Sequence, residues 1–286
     1  MGRILEYRLI WPWTSSSQRA RRMSKDQNVD DLTWLFVATQ PSSGSTLLGN
    51  LLVTLPGAAR IEPRAEGQWL IPDLVEGRNR WNPDAPHSFA ELRAVWLREA
   101  RSNSRDARVI IEKSPPNLCR MRRLMAAFAD MPQVLVLLTR DPFAICASWT
   151  RRYPPRVVVD AWCPAPPKPI NDARDYFRLL GCICGERFAM LHGLRDICDH
   201  WNACEDLVGD AVAVVQGIAK RCAGLGLPDA AHPAFREVHD RNPALRAGLA
   251  PEAGRWIAEG LAPFRVSVQA FGYSADQPDA PVGGSR

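Results

Sequence analysis

Apolar residues run consecutively at three places in the first half of the chain: Trp34–Ala38, Arg108–Glu112 and Gln133–Thr139, the last reading "QVLVLLT". Consecutive rather than alternating apolar positions mark strands covered on both faces, as in a parallel sheet. Helical spacing fills the intervals. Thr46–Leu55 is apolar and follows a turn directly. Ser88–Arg101 places Phe89, Leu92, Val95 and Trp96 on one face behind a Ser88 cap, with Glu91 three residues on. Asn117–Ala129 puts Leu118, Met121, Leu124, Met125 and Phe128 on a buried face. Pro142–Arg152 begins with proline at a tolerated first-turn position. Leu70–Asp73 is ambiguous, and the last third reads as helices over Asp175–Trp201, Ala211–Gly224 and Pro251–Gly272. Alternating strands and helices predict an α/β fold: a central, mainly parallel sheet flanked by helices in three layers, with a helical C-terminal third.

The pattern sets the expected boundaries. Residues 1–30 read as a disordered basic extension, 31–273 as a single domain and 274–286 as a disordered tail. Within the domain, residues 151–172 are a proline-rich lid or insertion, with Tyr153–Ile170 reading as an ordered loop or lid. No apolar run reaches the roughly 20 residues of a membrane span, and the N-terminus lacks the pattern of a secretory signal. A formal net charge of +5 favours anionic ligands but is too diffuse to argue for nucleic acid. Cys182, Cys184, His192, Cys198, His200 and Cys204 form a cluster that could be weighed as a zinc site. On a helix, however, Cys182 and Cys184 point roughly 200° apart, while Phe177, Leu180, Cys184, Phe188 and Leu191 form a buried stripe. Structural cysteines are the favoured reading over a metal, and a cytoplasmic setting disfavours a disulfide.

Chemistry concentrates in three loops. Pro41–Thr46 ("PSSGST") follows the first strand, Glu112–Asn117 ("EKSPPN") the second, and Arg140–Pro142 ("RDP") the third. In an open α/β sheet the loops at the carboxyl ends of parallel strands converge and bind ligands. The first loop offers Gly44 for close backbone approach, the hydroxyls of Ser43, Ser45 and Thr46, and a helix N-terminus. Such a nest holds phosphate or sulfate without any charged side chain. It lacks the Gly-Lys-Ser/Thr ending of an ATP or GTP loop, which argues against a nucleotide kinase. In the third loop, Ser148 lies eight residues and Arg152 twelve residues beyond Arg140, so that Ser148 and Arg152 share a helix face. Two guanidinium forks and a hydroxyl suit a phosphate monoester. The ordinary alternatives are a serine-capped helix, an Arg140–Asp141 cap and a solvated Arg152.

"QPSSGSTLL", "EKSPPN" and "LTRDPFAICASWTRR" together resemble the sulfotransferase family that uses 3'-phosphoadenosine 5'-phosphosulfate (PAPS), in particular its bacterial branch and the tyrosylprotein sulfotransferases. "ACEDLVGDAV", "RNPALRAGL" and the closing "AFGY" are similar to its later segments, so the resemblance spans roughly Trp34 to Tyr273. It implies a P-loop-like fold and sulfuryl transfer to the hydroxyl of a sugar, phenol or other small molecule, with PAP as product and no metal. It implies that Ser42, Ser43, Gly44, Ser45 and Thr46 hold the phosphosulfate, and that Arg140, Ser148 and Arg152 hold the 3'-phosphate. One position departs. The family usually has Lys or Arg where this chain has Ser42, and losing one preorganised donor typically costs about 10²–10³ in rate. Lys113, one of only four lysines among 36 basic residues, is the best substitute cation. A PAP-binding protein with impaired catalysis is the alternative that Ser42 leaves open. The resemblance also implies a general base after the first helix: Glu66, preferred for its "EGQWL" setting, or Glu62, with His87 weaker. A loop carboxylate here would ordinarily pair with Arg60 or Arg64. Trp69, Trp81 and Trp162 lie in loop-like segments expected near the acceptor.

Overall fold

The computed structural model describes residues 32–61, 64–75, 77–103, 106–163, 169–236 and 238–276. In chain order, β1 (Thr33–Thr39), α1 (Ser45–Leu52), β2 (Ala58–Arg60), α2 (Pro72–Val75) and α3 (Phe89–Asn103) are followed by β3 (Val109–Glu112), α4 (Met121–Ala127), β4 (Gln133–Thr139) and α5 (Pro142–Arg152). Then come α6 (Pro155–Trp162), α7 (Ala173–His192), β5 (His200–Ala203), α8 (Cys204–Gly209) and α9 (Ala211–Ala219). Four short helices finish the domain: α10 (Pro233–Arg236), α11 (Asn242–Ala247), α12 (Pro251–Leu261) and α13 (Arg265–Gln269).

The strands form one five-stranded sheet in the order β2-β3-β1-β4-β5, and every pair is parallel. All residues of β1 are buried because helices cover both of its faces. Side chains alternate between two cores. Trp34, Phe36 and Ala38 of β1, with Leu135 and Leu137 of β4, face the core built with α3, α5, α7 and α12. Leu35 and Val37, with Val134, Val136 and Leu138, face the core built with Leu48, Leu51 and Leu52 of α1 and Val214, Val215 and Ile218 of α9. Each such buried side chain contributes about 1.5–3 kcal/mol of hydrophobic stabilisation before conformational entropy is charged against it. Because β1 is flanked by β3 and β4, the three polar loops leave the same sheet edge side by side.

Several expectations need correction. The helix expected over Asp175–Trp201 ends at His192. Asp199 then pairs with Leu135 through both its amide and its carboxylate, at 2.9 and 2.8 Å, and delivers His200–Ala203 to the sheet edge as β5. Within α7 the expected stripe holds at Leu180, Cys184, Phe188 and Leu191, which are buried, while Phe177 is only half-buried, and none of the eight cysteines is in a disulfide. The expected helix over Pro251–Gly272 breaks into α12, a tight turn at Ala262–Phe264 and α13, since Pro263 lacks an N–H to continue the ladder. The proline-rich stretch is not a loop throughout, because α6 packs Val158 and Trp162 into the core. At the start of the expected tail, Ala275 is buried and Asp276 pairs with Arg265 at 2.5 Å. The basic extension at 1–30, residues 277–286 and residues 164–168 of the lid lie outside the described residues. No helix among the described residues is long and apolar enough to cross a membrane.

Candidate active site

The first loop turns sharply at the carboxyl end of β1. Ser42 and Gly44 both adopt left-handed backbone, with φ of 67° and 87°. At position 44 glycine is required twice over, since a Cβ there would also come within 2.8 Å of Cys204 Sγ. The N-cap of α1 is Gly44 itself, which has no side chain to occupy the first free N–H groups. Ser43 Oγ is buried, and among the described residues it has no hydrogen-bond partner.

The third loop clamps the first. Asp141 caps α5 by accepting from Ala144 N at 2.8 Å. Arg140 then projects across the sheet edge, donating to the Ser42 carbonyl and to Asn242 Oδ1, each at 2.7 Å. Ser148 Oγ meets Ser42 Oγ at 3.1 Å, and Trp149 Nε1 donates to the Pro41 carbonyl at 3.1 Å. Ser42 therefore turns its carbonyl toward Arg140 and its hydroxyl toward Ser148. Arg152, one turn beyond Ser148, is exposed.

The second loop places a lysine beside the first. Lys113 is only 2% exposed, and its stem passes Gly49 of α1. Its Nζ reaches Glu66 Oε1 at 2.5 Å and Thr46 Oγ1 at 3.4 Å. Glu66 is thus paired with Lys113, 47 positions away in sequence, rather than with a neighbouring arginine. Its other oxygen accepts from Gln68 Nε2 at 3.1 Å and Trp69 Nε1 at 2.9 Å. Beneath this pair, Glu112 accepts from the Ser114 hydroxyl and from the amides of Ser114 at 2.9 Å and Gly67 at 3.3 Å. Complete burial pushes its carboxyl up to about 7, with Glu66 adding to the rise.

Of the remaining candidates, Glu62 lies outside the described residues. His87 is held by the Ala85 carbonyl at 2.8 Å, and burial lowers its pKa. Trp69 is half exposed beside Glu66, with the Arg80 guanidinium 4.7 Å from its ring centroid. Trp81 and Trp162 are buried rather than loop-borne.

Three residues behind Arg140 were not singled out from sequence. Glu205 accepts from Asp141 N at 3.0 Å, Asn242 Nδ2 at 2.5 Å and Tyr273 OH at 2.7 Å. Burial raises its pKa, and these hydrogen bonds oppose the rise. The three lie in "ACEDL", "RNPALRAGL" and "AFGY", so the signal was present as segments without a common destination.

The chain matches the crystal structure of a sulfotransferase from Mycobacterium avium at 14% identity, over 86% of this chain and 76% of that one, with a TM-score of 0.53. It also matches a sulfotransferase from Alicyclobacillus acidocaldarius at 16% identity, over 83% and 94% of the two chains, with a TM-score of 0.48. The sulfotransferase domain of a Synechococcus olefin synthase matches at 19% identity, over 82% and 91%, with a TM-score of 0.45. No protein-family model and no curated protein matches the sequence. The likeness to the mycobacterial enzyme establishes the fold: a parallel α/β sheet of the sulfotransferase type.

Proposed function

We propose that this protein is a PAPS-dependent sulfotransferase acting on a hydroxyl-bearing small molecule or glycan. The residues present suit such a donor. The left-handed Ser42 and Gly44, the unpartnered Ser43 hydroxyl and the free start of α1 fit a phosphosulfate. Arg140, Ser148 and Arg152 would hold the 3'-phosphate, with Ser45 and Thr46 adding hydroxyls to the first loop. When bound, PAPS supplies an activated sulfuryl group whose S–O bond to the 5'-phosphate breaks as PAP leaves with the electron pair.

Glu66 would accept the proton of the attacking hydroxyl. Lys113 would offset charge developing at the first loop. The two roles are coupled. As Glu66 takes the proton, its pairing with Lys113 weakens, and the ammonium charge becomes available on the Thr46 side. The observation that carries this reading is the buried Lys113 Nζ lying between Glu66 and Thr46. It puts a cation beside the loop in which Ser42 stands where the related sequences have Lys or Arg, and so favours an active enzyme over a binding-only protein. Incubation with sulfur-labelled PAPS and a panel of phenols and sugars tests the proposal. A labelled ester that disappears in Glu66→Gln is the expected result. Absence of transfer to every acceptor, with no binding of PAP, would defeat it.

A further inference from the structure

Arg187 lies in the middle of α7 and is only 2% exposed. Three indoles enclose its guanidinium, with ring centroids at 3.6 Å for Trp81, 5.0 Å for Trp162 and 5.1 Å for Trp149. Among the described residues, neither Nη1 nor Nη2 has a hydrogen-bond acceptor. Burial pushes its pKa down to about 9, which leaves it charged at neutral pH. Indole faces attract a cation but cannot accept its directed N–H bonds as a carboxylate does. Buried charges are ordinarily paired with an opposite charge, and among the described residues this one has no ion-pair partner. The neighbouring acid, Glu186, stands on the exposed side of the helix. Tyr176 OH, close to Cys146, is a further buried group with no hydrogen-bond partner among the described residues.

The position of this box matters as much as its chemistry. Trp149 is also the residue whose Nε1 holds the Pro41 carbonyl, so the box shares a wall with the first loop. Trp81 closes the Gly77–Trp81 turn, and its neighbour Arg80 reaches the other way, over Trp69 and beside Glu66. Trp162 ends α6, a short helix. Two of the three walls therefore belong to short elements, the Gly77–Trp81 turn and α6.

We propose that Arg187 and its three tryptophans form the deep end of the acceptor subsite, and that the acceptor is a hydroxylated molecule with an aromatic body and a carboxylate. The assignment of this subsite to an acceptor rests on the sulfotransferase reading above. The planar guanidinium fork matches a carboxylate and the indoles match an aromatic body, while Trp69 and Arg80, beside Glu66, would meet the hydroxyl end.

Calorimetric titration with 4-hydroxyphenylacetate, its methyl ester and 4-methylphenol, each with and without saturating PAP, tests this. The wild-type protein should bind the carboxylate at least tenfold more tightly than either neutral probe. Arg187→Gln should remove that preference, Arg187→Lys should retain part of it, and PAP affinity should stay within threefold in both variants. Equal affinity for the carboxylate and its methyl ester in the wild-type protein overturns the proposal, whatever the folding of the variants. So does a preference that survives in Arg187→Gln, or no binding of any probe at millimolar concentration. If PAP fails to bind but the preference depends on Arg187, the donor assignment falls and the carboxylate site stands.

Discussion

Replacing Lys113 with methionine removes one ammonium and keeps most of the buried stem. Its Nζ sits 2.5 Å from Glu66 Oε1, with the two side chains 2% and 17% exposed. At an effective dielectric near 20, gross attraction at that separation is ~7 kcal/mol, largely offset by the desolvation of both ions. Removing one member of a buried pair commonly costs about 3–5 kcal/mol. Glu66 keeps Gln68 and Trp69 as donors and some contact with solvent, which places Lys113→Met near the lower end, at about 3 kcal/mol. Glu66→Gln in the Lys113→Met background should recover part of the loss, giving a coupling energy of about 2 kcal/mol in the double-mutant cycle. Urea denaturation followed by tryptophan fluorescence reads these values. Activity gives a second readout: kcat should fall by about 10²–10³ in Lys113→Met while PAP affinity changes less than about threefold. Additive single-mutant effects, together with kcat within about threefold of wild type, would refute the reasoning and make Lys113 a structural bystander.

Glu112 should make stability depend on pH. Its pKa of about 7 in the folded protein, against an ordinary 4.5, means that the native state holds the proton more tightly. The resulting contribution, about 3 kcal/mol, is fully present below pH 4.5 and lost as pH rises through 7. Glu112→Gln should therefore gain stability relative to wild type at pH 8 but not at pH 4, read as the shift in urea midpoint at each pH. Tyr273→Phe removes a donor from half-buried Glu205 and should cost about 1–3 kcal/mol, lowering Tm, with Arg140 loosened and PAP binding weakened in parallel. Ser42→Lys should lower both stability and kcat, because the Ser42 hydroxyl is engaged by Ser148 and, in the proposed function, Lys113 is the cation of this loop. A large gain in activity would show instead that the first loop lacks the charge it needs.

The parts of the fold that were legible are those fixed by local chemistry. The bounds of β4 and α5 match the sequence reading because an unbroken apolar run leads directly into an Asp141 cap and a first-turn proline. Convergence of the three loops was legible because consecutive apolar runs imply parallel strands, and parallel strands put successive loops on one edge. What escaped depends on distant partners. "HWNA" carries no strong strand signal, and it becomes β5 only because Asp199 anchors it against β4. Proline density suggested a loop where Pro155 opens a helix instead. The Lys113–Glu66 pair spans 47 positions, and composition could single out Lys113 without showing what it touches. Arg187 gave no signal, since it falls beside the apolar stripe of α7 where a solvated arginine would also be written.

Calorimetric titration with PAP, using AMP and ATP-Mg²⁺ as controls, addresses the donor site itself. The account predicts micromolar binding of PAP and much weaker binding of AMP. It also predicts a loss of roughly 100-fold in Arg140→Ala, corresponding to about 3 kcal/mol of charge-assisted hydrogen bonding. PAP binding no better than AMP, or equal binding by wild type and Arg140→Ala, would contradict it and leave a sulfotransferase fold without the donor.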